Sequence, residues 1–384
     1  MTQLKIKKRF RNRFQFSKTG RIAYILCVIL SIHKIFSRGE FAGHMRKKNY
    51  TITDLSIKLG VSKSTVSRAL KDHPDVNPKT RARVKALAEE LNYQPNLLAS
   101  GLASKKSSII GVIVPEISRQ HFFAAALEGI QSEAKKSGYT IMICQSDESF
   151  EEEVKQSQIL RNNRAAGVLM SLSRETQNHN HILNLKDSGV PVVLFDRGAE
   201  GLDVSQVIVD DFKGAYELTA YLLEKGYDDI AYFSGPMNLE ISRKRYEGYI
   251  QALRDYGQRV SEAKVYECER LSLDVRDAIR KVFLEENPPK VIMCMHDYMA
   301  VEVIKRLQQR GLNVPNDIAV TGFAGDPITD IITPRITTME QPAFEIGRAA
   351  AAQLIKEIKI EEEEEVLPHE IKVFETKLDV KEST

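Results

Sequence analysis

From Ile109 onward the chain repeats one pattern, a continuous apolar run followed by a polar stretch with helical spacing. The runs fall at residues 109–114, 139–144, 167–170, 190–195, 207–209, 230–233, 291–295 and 318–323. They recur roughly every 20–30 residues, with one longer gap. Strands that lack polar alternation are buried on both faces, and parallel neighbours need long crossovers, usually helical. The pattern predicts an α/β core of one or two parallel sheets flanked by helices. At 384 residues the whole chain is too long for one small domain, so two or three are expected.

Ahead of this core the residues are punctuated for short helices. Thr51 is a predicted N-cap, followed by Ile52, Leu55 and Leu59 on one face. Gly60-Val61-Ser62 breaks that helix and supplies the next cap. A second helix is predicted from Lys63 to about Lys71, burying Val66 and Leu70 and exposing Lys63, Ser64, Ser67 and Arg68. His73-Pro74-Asp75-Val76 reads as a loop. Asn77 then caps a third helix that opens on Pro78 and turns Val84, Leu87 and Leu91 inward. Three short helices, two of them joined by a tight glycine turn, form the helix-turn-helix pattern. The exposed residues of the second helix are donors suited to base edges and phosphates.

Charge divides the same way. Residues 1–48 carry a net +12, residues 49–106 a net +5, and the rest a net −14. A basic front on an acidic body suggests that only the front meets a polyanion. Hydrophobic content of 42% with 28% charged residues excludes a disordered, collagenous or multi-span membrane chain. Cys27, Cys144, Cys268 and Cys294 lie far apart without a CxxC pair, which argues against a disulfide scaffold or structural zinc and suits a reducing cytoplasm.

Residues 1–44 are read as a basic and apolar extension. The apolar run at 22–32 is too short to span a bilayer and has no small-x-small cleavage site after it. The preferred reading is a start codon placed too early, with translation beginning at Met45. A signal or anchor, or a basic arm, are the other readings.

Leu55, Gly60-Val61-Ser62, Thr65-Val66-Ser67-Arg68, Leu91-Asn92-Tyr93-Gln94-Pro95-Asn96 and Leu102-Ala103 together resemble the headpiece of the LacI/GalR family of bacterial transcription regulators. That resemblance implies that Lys63, Ser64 and Arg68 read bases in the major groove. It places Thr51, Ser62, Thr65, Ser67, Asn77, Thr80 and Asn96 on phosphates, and Leu102 as a hinge-helix wedge in the minor groove. The implied layout is a headpiece at 49–95, a hinge helix at 96–106 and a two-lobed effector-binding and dimerisation core at 107–384. The core resembles periplasmic sugar-binding proteins, with the ligand in a cleft beyond the carboxyl ends of the strands, where fold physics alone would put it. His121, Phe122, Asp196, Arg245, Asp297 and Gln341 match the family's ligand-contact positions. Carboxylates accept hydroxyl pairs, Arg donates a planar fork and Phe122 covers an apolar ring face, which suits a sugar. Arg119, Arg197 and Arg270 would make an anionic sugar plausible if they faced the cleft. One departure stands out: relatives place an aspartate directly after Gly-Phe, whereas here Gly322-Phe323 is followed by Ala324-Gly325-Asp326.

Other motifs carry little. His179-x-His181 reads as a surface loop, and residues 361–365 as a solvated acidic run. No phosphate loop, GxSxG elbow or HExxH is present, so neither catalysis nor a cofactor or metal is expected. The expectation is a cytoplasmic, homodimeric repressor of carbohydrate genes that binds operator DNA and a small effector, with an exported or membrane-tethered sugar-binding protein as the rival.

Overall fold

The computed structural model describes residues 50–70, 72–93, 107–118, 121–260, 264–268, 271–285, 287–363 and 368–384. The chain divides between Asn96 and Leu97 into two compact units. The expectations for residues 1–44, Lys71, Asn96, Leu102, the hinge helix, Arg119 and Arg270 lie outside the described residues.

The first unit contains α1 (Ile52–Leu59), α2 (Lys63–Leu70) and α3 (Pro78–Glu90). Thr51 and Asp54 close a reciprocal capping box that satisfies orphan N–H groups at the start of α1. Gly60 ends α1 at φ 68°, a left-handed conformation that costs glycine nothing. The Ser62 hydroxyl then accepts from the Thr65 N–H at 3.1 Å and starts α2 within the same turn. Asn77 caps α3 through the Lys79 N–H at 2.9 Å, with Pro78 at the first helical position. Leu55, Val66, Ala69, Val76, Val84 and Ala88 fill the small core. Leu70, Leu87 and Leu91 only edge it, because the closely approaching helices leave room for alanine at the centre.

The second unit has two lobes. The first holds a six-stranded sheet in the order β11-β5-β4-β3-β1-β2. Its strands are β1 (Ile109–Val114), β2 (Thr140–Gln145), β3 (Gly167–Met170), β4 (Val192–Phe195), β5 (Ser205–Val209) and β11 (Ile371–Phe374). Every neighbouring pair runs parallel. Side chains alternate between two helical layers. Ile110, Val112 and Val114 pack on α4 (His121–Lys136) and α12 (Ala343–Glu363). Ile113, Val168 and Met170 pack towards α5 (Phe150–Asn162) and α6 (Asn180–Asp187).

The second lobe holds a parallel sheet in the order β7-β6-β8-β9, formed by Val265–Glu267, Ile230–Ser234, Val291–Cys294 and Ala319–Thr321 respectively. Helices α7 (Asp211–Glu224) and α8 (Glu240–Asp255) cover one face, where Tyr232, Val291 and Met293 are buried. Helices α9 (Leu271–Val282) and α10 (Asp297–Gln308) cover the other, over Phe233, Ile292 and Cys294. The short α11 (Ile328–Ile331) follows β9, and β10 (Thr338–Glu340) pairs antiparallel with β12 (Lys377–Asp379). The chain passes between lobes at β5–α7, β10–α12 and β11–β12.

Two parallel sheets flanked by helices match the expected fold class. The expectation that every strand is buried on both faces fails at β2, where Ile143 is 45% exposed, because β2 closes an edge of its sheet.

Helices α4 and α12 approach closely through glycines on both sides. A Cβ at Gly129 would stand 2.1 Å from the Phe344 carbonyl oxygen, and one at Gly347 would stand 2.0 Å from that of Ala126. Those atoms are backbone and cannot rotate away. Gly129→Ala is therefore expected to cost about 1–3 kcal/mol through overpacking. A urea-unfolding midpoint equal to that of the parent would refute this contact.

Candidate functional site

In the first unit the site is the outward side of α2. Lys63, Ser64 and Arg68 are exposed, whereas Val66 and Ala69 face inward. At the helix start, Ser62 Oγ lies 2.7 Å from Ser64 Oγ and 2.8 Å from Thr65 Oγ1. This hydroxyl cluster at a helix N-terminus suits phosphate oxygens, since the helix dipole and free N–H groups also favour anions there. Among the other expected phosphate contacts, Thr51 and Asn77 are exposed, and Ser67, Thr65 and Thr80 are half-buried. The Thr51 hydroxyl is already committed to Asp54 Oδ2 at 2.7 Å. Arg81 braces the loop before α3 by donating to the carbonyls of His73 and Val76 at 2.7 and 3.2 Å.

In the second unit the expected ligand residues converge on the region between the lobes. They divide into a cavity and a buried charge cluster. The cavity has a volume of about 290 Å³, and its lining includes His121, Phe122, His296, Asp297, Asp326 and Gln341. His121 and Phe122 enter it because α4 begins there, just after β1. Phe122 is held edge-on against Phe123, with ring centroids 5.4 Å apart. Gln341 comes from the crossover after β10, and its N–H donates to the Ala324 carbonyl at 3.1 Å.

Asp297 lines the cavity, yet its carboxylate is largely occupied from within. Oδ1 accepts from the Thr338 hydroxyl at 2.6 Å, and Oδ2 from the Asp326 N–H at 2.7 Å. Burial pushes its carboxyl up to about 6, against the opposing effect of these donors. Its neighbour His296 lines the same cavity. His296 Nδ1 accepts from the Met299 N–H at 3.1 Å, leaving Nε2 as the ring's donor. Burial, with the guanidiniums of Arg245 and Arg197, lowers its pKa to about 4.

The charge cluster lies within electrostatic reach of His296. Asp196, just past β4, holds a left-handed backbone at φ 62°, which is uncommon for a residue with a side chain. Burial raises its carboxyl to about 6 while Arg197 pulls the other way. The Ser171 hydroxyl donates to its Oδ2 at 3.2 Å, and Arg197 Nε lies 4.0 Å from the same oxygen. Arg197 does not offer its charge to the cleft. It forks onto Glu148 at 2.7 and 2.9 Å and donates to the Leu172 carbonyl at 3.1 Å. Arg245 is likewise engaged, at 2.7 Å to Asp211 Oδ1 and 2.7 Å to the Met295 carbonyl, with its guanidinium 3.8 Å from the centre of the Phe323 ring. Burial raises the Asp211 carboxyl even so, and Arg245 opposes that rise.

The structure thus brings His121, Phe122, Asp297 and Gln341 to one cavity, and sets Asp196 and Arg245 in the adjoining cluster. Sequence reasoning missed His296, Asp211 and Glu148, and recorded Asp326 only as a departure. A polar residue directly after a buried strand was the available signal for His296. The region is rich in acceptors: Arg197 and Arg245 are engaged by Glu148 and Asp211, Asp196 has only the more distant Arg197 Nε at 4.0 Å as a cation, and Asp297 and Asp326 accept from hydroxyl and backbone donors. Such a lining suits hydroxyl donors better than anions.

The structure corrects the reading of His181. His181 is not on a surface loop; it is buried on α6 with Nε2 3.0 Å from the buried Glu153 carboxylate of α5. The Cys294 thiol is buried and pushed well above its ordinary range, the opposite of an activated nucleophile. Among the described residues no group of three or more His, Cys, Asp or Glu is placed to hold a metal ion.

Comparison with known proteins gives two family matches. Residues 51–96 match bacterial regulatory proteins of the lacI family, and residues 107–376 match periplasmic binding proteins and the sugar binding domain of the LacI family. Catabolite control protein A of Priestia megaterium is 33% identical over 309 residues, covering 80% of this chain and 92% of its own. The HTH-type transcriptional repressor PurR of Vibrio campbellii is 31% identical over 329 residues, covering 85% and 95%. Among solved structures, the transcriptional regulator CelR in complex with cellobiose superposes with a TM-score of 0.65 at 26% identity, covering 88% of this chain and 100% of that one. The lac repressor dimer bound to operator and the anti-inducer ONPF shares the fold with a TM-score of 0.76 at 22% identity, covering 88% and 99%.

Proposed function

Because this chain belongs to the LacI family of bacterial regulatory proteins, we propose that it is a homodimeric repressor that reads operator DNA through α2 and is gated by a neutral, polyhydroxylated effector in the inter-lobe cleft. It is a DNA-binding transcription regulator and not an enzyme. The single observation that carries the reading is the exposure of Lys63, Ser64 and Arg68 on the second helix of a helix-turn-helix unit. In this reading Arg68 reads a base edge, with Lys63 and Ser64 beside it. Thr51, Ser62, Thr65, Ser67, Asn77, Thr80 and Asn96 hold phosphates, and Leu102 wedges the minor groove.

Support for the effector class comes from the cleft's charge. The terminal nitrogens of Arg197 are committed to Glu148, its Nε faces Asp196 at 4.0 Å, and Arg245 is committed to Asp211, so the positive charge of the cluster is met from within rather than awaiting a phosphate or carboxylate. Asp196 and the ring Nε2 of His296 remain to engage hydroxyls, Asp297 offers only the lone pairs that Thr338 and Asp326 leave it, and Phe122 lies against an apolar face. The relative CelR holds cellobiose, a neutral disaccharide. Dimerisation is supported by geometry, since one headpiece reads one half-site. Two apolar side chains, Leu273 on α9 and Ile331 on α11, both helices that pack on α10, are 45% and 75% exposed and suit a partner surface. A cytoplasmic location follows from the DNA target. Among the described residues no helix is long and apolar enough to cross a membrane.

The test is selection of bound sequences from a random duplex pool, followed by the same titration with Arg68→Ala. The substitution should cost about 1–3 kcal/mol on the selected site and relax preference at one position. Unchanged affinity and unchanged preference would remove α2 from the groove. Calorimetry with neutral sugars against uronates should show heat only for the neutral set.

A further inference from the structure

Asp326 joins the two lobes. Its loop follows β9 in the second lobe, where Ala324 takes φ 119° and Gly325 φ 74°, an unusual path that carries the aspartate to the cavity edge. There one carboxylate oxygen accepts the N–H of His121, the first residue of α4 in the other lobe, at 2.9 Å. The second oxygen accepts the Ile328 N–H at 3.0 Å and closes its own loop. Asp326 is only 7% exposed.

Two further observations give this contact weight. Helix α4 is 16 residues long and has no acidic residue in its first turn, so no carboxylate of that turn meets the positive end of its dipole. Asp326 is also held in place: its N–H donates to Asp297 Oδ2 at 2.7 Å, and Asp297 is fixed in turn by the Thr338 hydroxyl at 2.6 Å. A chain of bonds therefore runs from β10 through the start of α10 to the start of α4. In this chain Ala324 and Gly325 stand between Phe323 and the aspartate, and it is from position 326 that the carboxylate meets His121.

We propose that Asp326 is an inter-lobe latch and a charge filter: its carboxylate caps α4 from the opposite lobe, which favours closure, and occupies the place an anionic group of a ligand would take. The proposal rests on the cleft being the effector site and deepens that reading, because it names the residue that selects neutral ligands. A ligand entering the cavity must leave the latch in place or replace it with an acceptor of its own. A phosphate or carboxylate drawn to the α4 N-terminus meets a fixed negative charge first.

The full chain, free of DNA and effector, is the material for the test. Asp326→Asn keeps one acceptor oxygen but loses the charge, so any bond it makes to α4 is no longer charge-assisted; Asp326→Ala removes both oxygens. Amide exchange in the first turn of α4 should accelerate by about tenfold or more in both variants, as loss of a charge-assisted bond implies. Exchange in β1 and α10 should match the parent, which shows that the lobes remain folded. Inorganic phosphate should give binding heat with Asp326→Ala and none with the parent. Parental exchange rates at α4 in both variants would overturn the latch, and equal phosphate binding by parent and Asp326→Ala would overturn the filter. Neither readout involves a sugar, so failure here leaves the cleft standing as the effector site, and a parent that gives no heat with any neutral sugar would remove that site while leaving these exchange rates unchanged.

Discussion

Replacing Arg245 by alanine is expected to cost about 3–5 kcal/mol of folding stability, the loss typical when one member of a buried ion pair is removed. The guanidinium is 4% exposed and serves three groups at once: Asp211, the Met295 carbonyl and the face of Phe323. Without it the Asp211 carboxylate is buried with no counter-charge in contact and the carbonyl loses its donor. The loss should appear as a lower urea midpoint with an unchanged slope. Arg245→Met combined with Asp211→Asn should recover most of it, because no uncompensated charge is left. A loss below about 1 kcal/mol for Arg245→Ala would mean that the pair is solvated and weak. An effector-binding assay on this variant consequently measures folding as much as recognition.

Asp196→Asn is expected to act in the other direction, stabilising the protein at neutral pH by up to about 3 kcal/mol. The carboxyl is raised from 3.8 to about 6, chiefly by burial, so the folded state holds its proton more tightly than the unfolded chain does. Stability from this group is fully present below pH 3.8 and is lost as pH rises through about 6. At about 1.36 kcal/mol per unit, a shift of this size sets the upper limit of the gain. Asparagine keeps an oxygen for the Ser171 hydroxyl and tolerates the left-handed backbone. The advantage should be large at pH 7 and vanish near pH 3.5, measured by thermal or urea unfolding across that range. His296 titrates in the opposite sense: lowered to about 4, it adds stability as pH rises from about 4 to 6.5. Asp297, also raised to about 6, acts in the same sense as Asp196, so Asp196→Asn should remove one of the two carboxyl contributions that His296 opposes. The gain comes with the loss of an anionic acceptor in the cleft, the usual tension between stability and a binding site.

The fold was legible where burial was complete. Strands β1 and β3 fall on their apolar runs without a residue of difference, and β4, β6, β8 and β9 lie inside or within a residue of theirs. The four strands that the runs did not mark are β7, β10, β11 and β12. Three of these have only three residues, too few for a period to register. In β11, Ile371 and Val373 are exposed at the sheet edge, so no continuous apolar run forms. The headpiece was legible through its caps, since Thr51, Gly60, Ser62 and Asn77 act locally. The cleft was legible only in part. Spacing after a strand marks which residues stand near the crevice, but not whether a charge is already engaged. Arg245 and Arg197 look alike in sequence to free guanidiniums, and their partners Asp211 and Glu148 lie 34 and 49 residues away. Asp326 meets His121 across a separation of 205 residues, which no local pattern reports.

The position of β11 has a consequence for synthesis on the ribosome. The first lobe emerges early through β5, yet the strand that covers β5 on its open side is made only after nearly the whole second lobe. Throughout that interval a nascent chain displays a sheet edge with unpaired N–H and C=O groups, and α12, which covers one face of the same sheet, is equally late. Exposed edges of this kind recruit other strands, so the period between β5 and β11 is when this chain is most open to aggregation. Premature termination anywhere in the second lobe should yield an insoluble fragment, and chaperone dependence should concentrate on chains paused there.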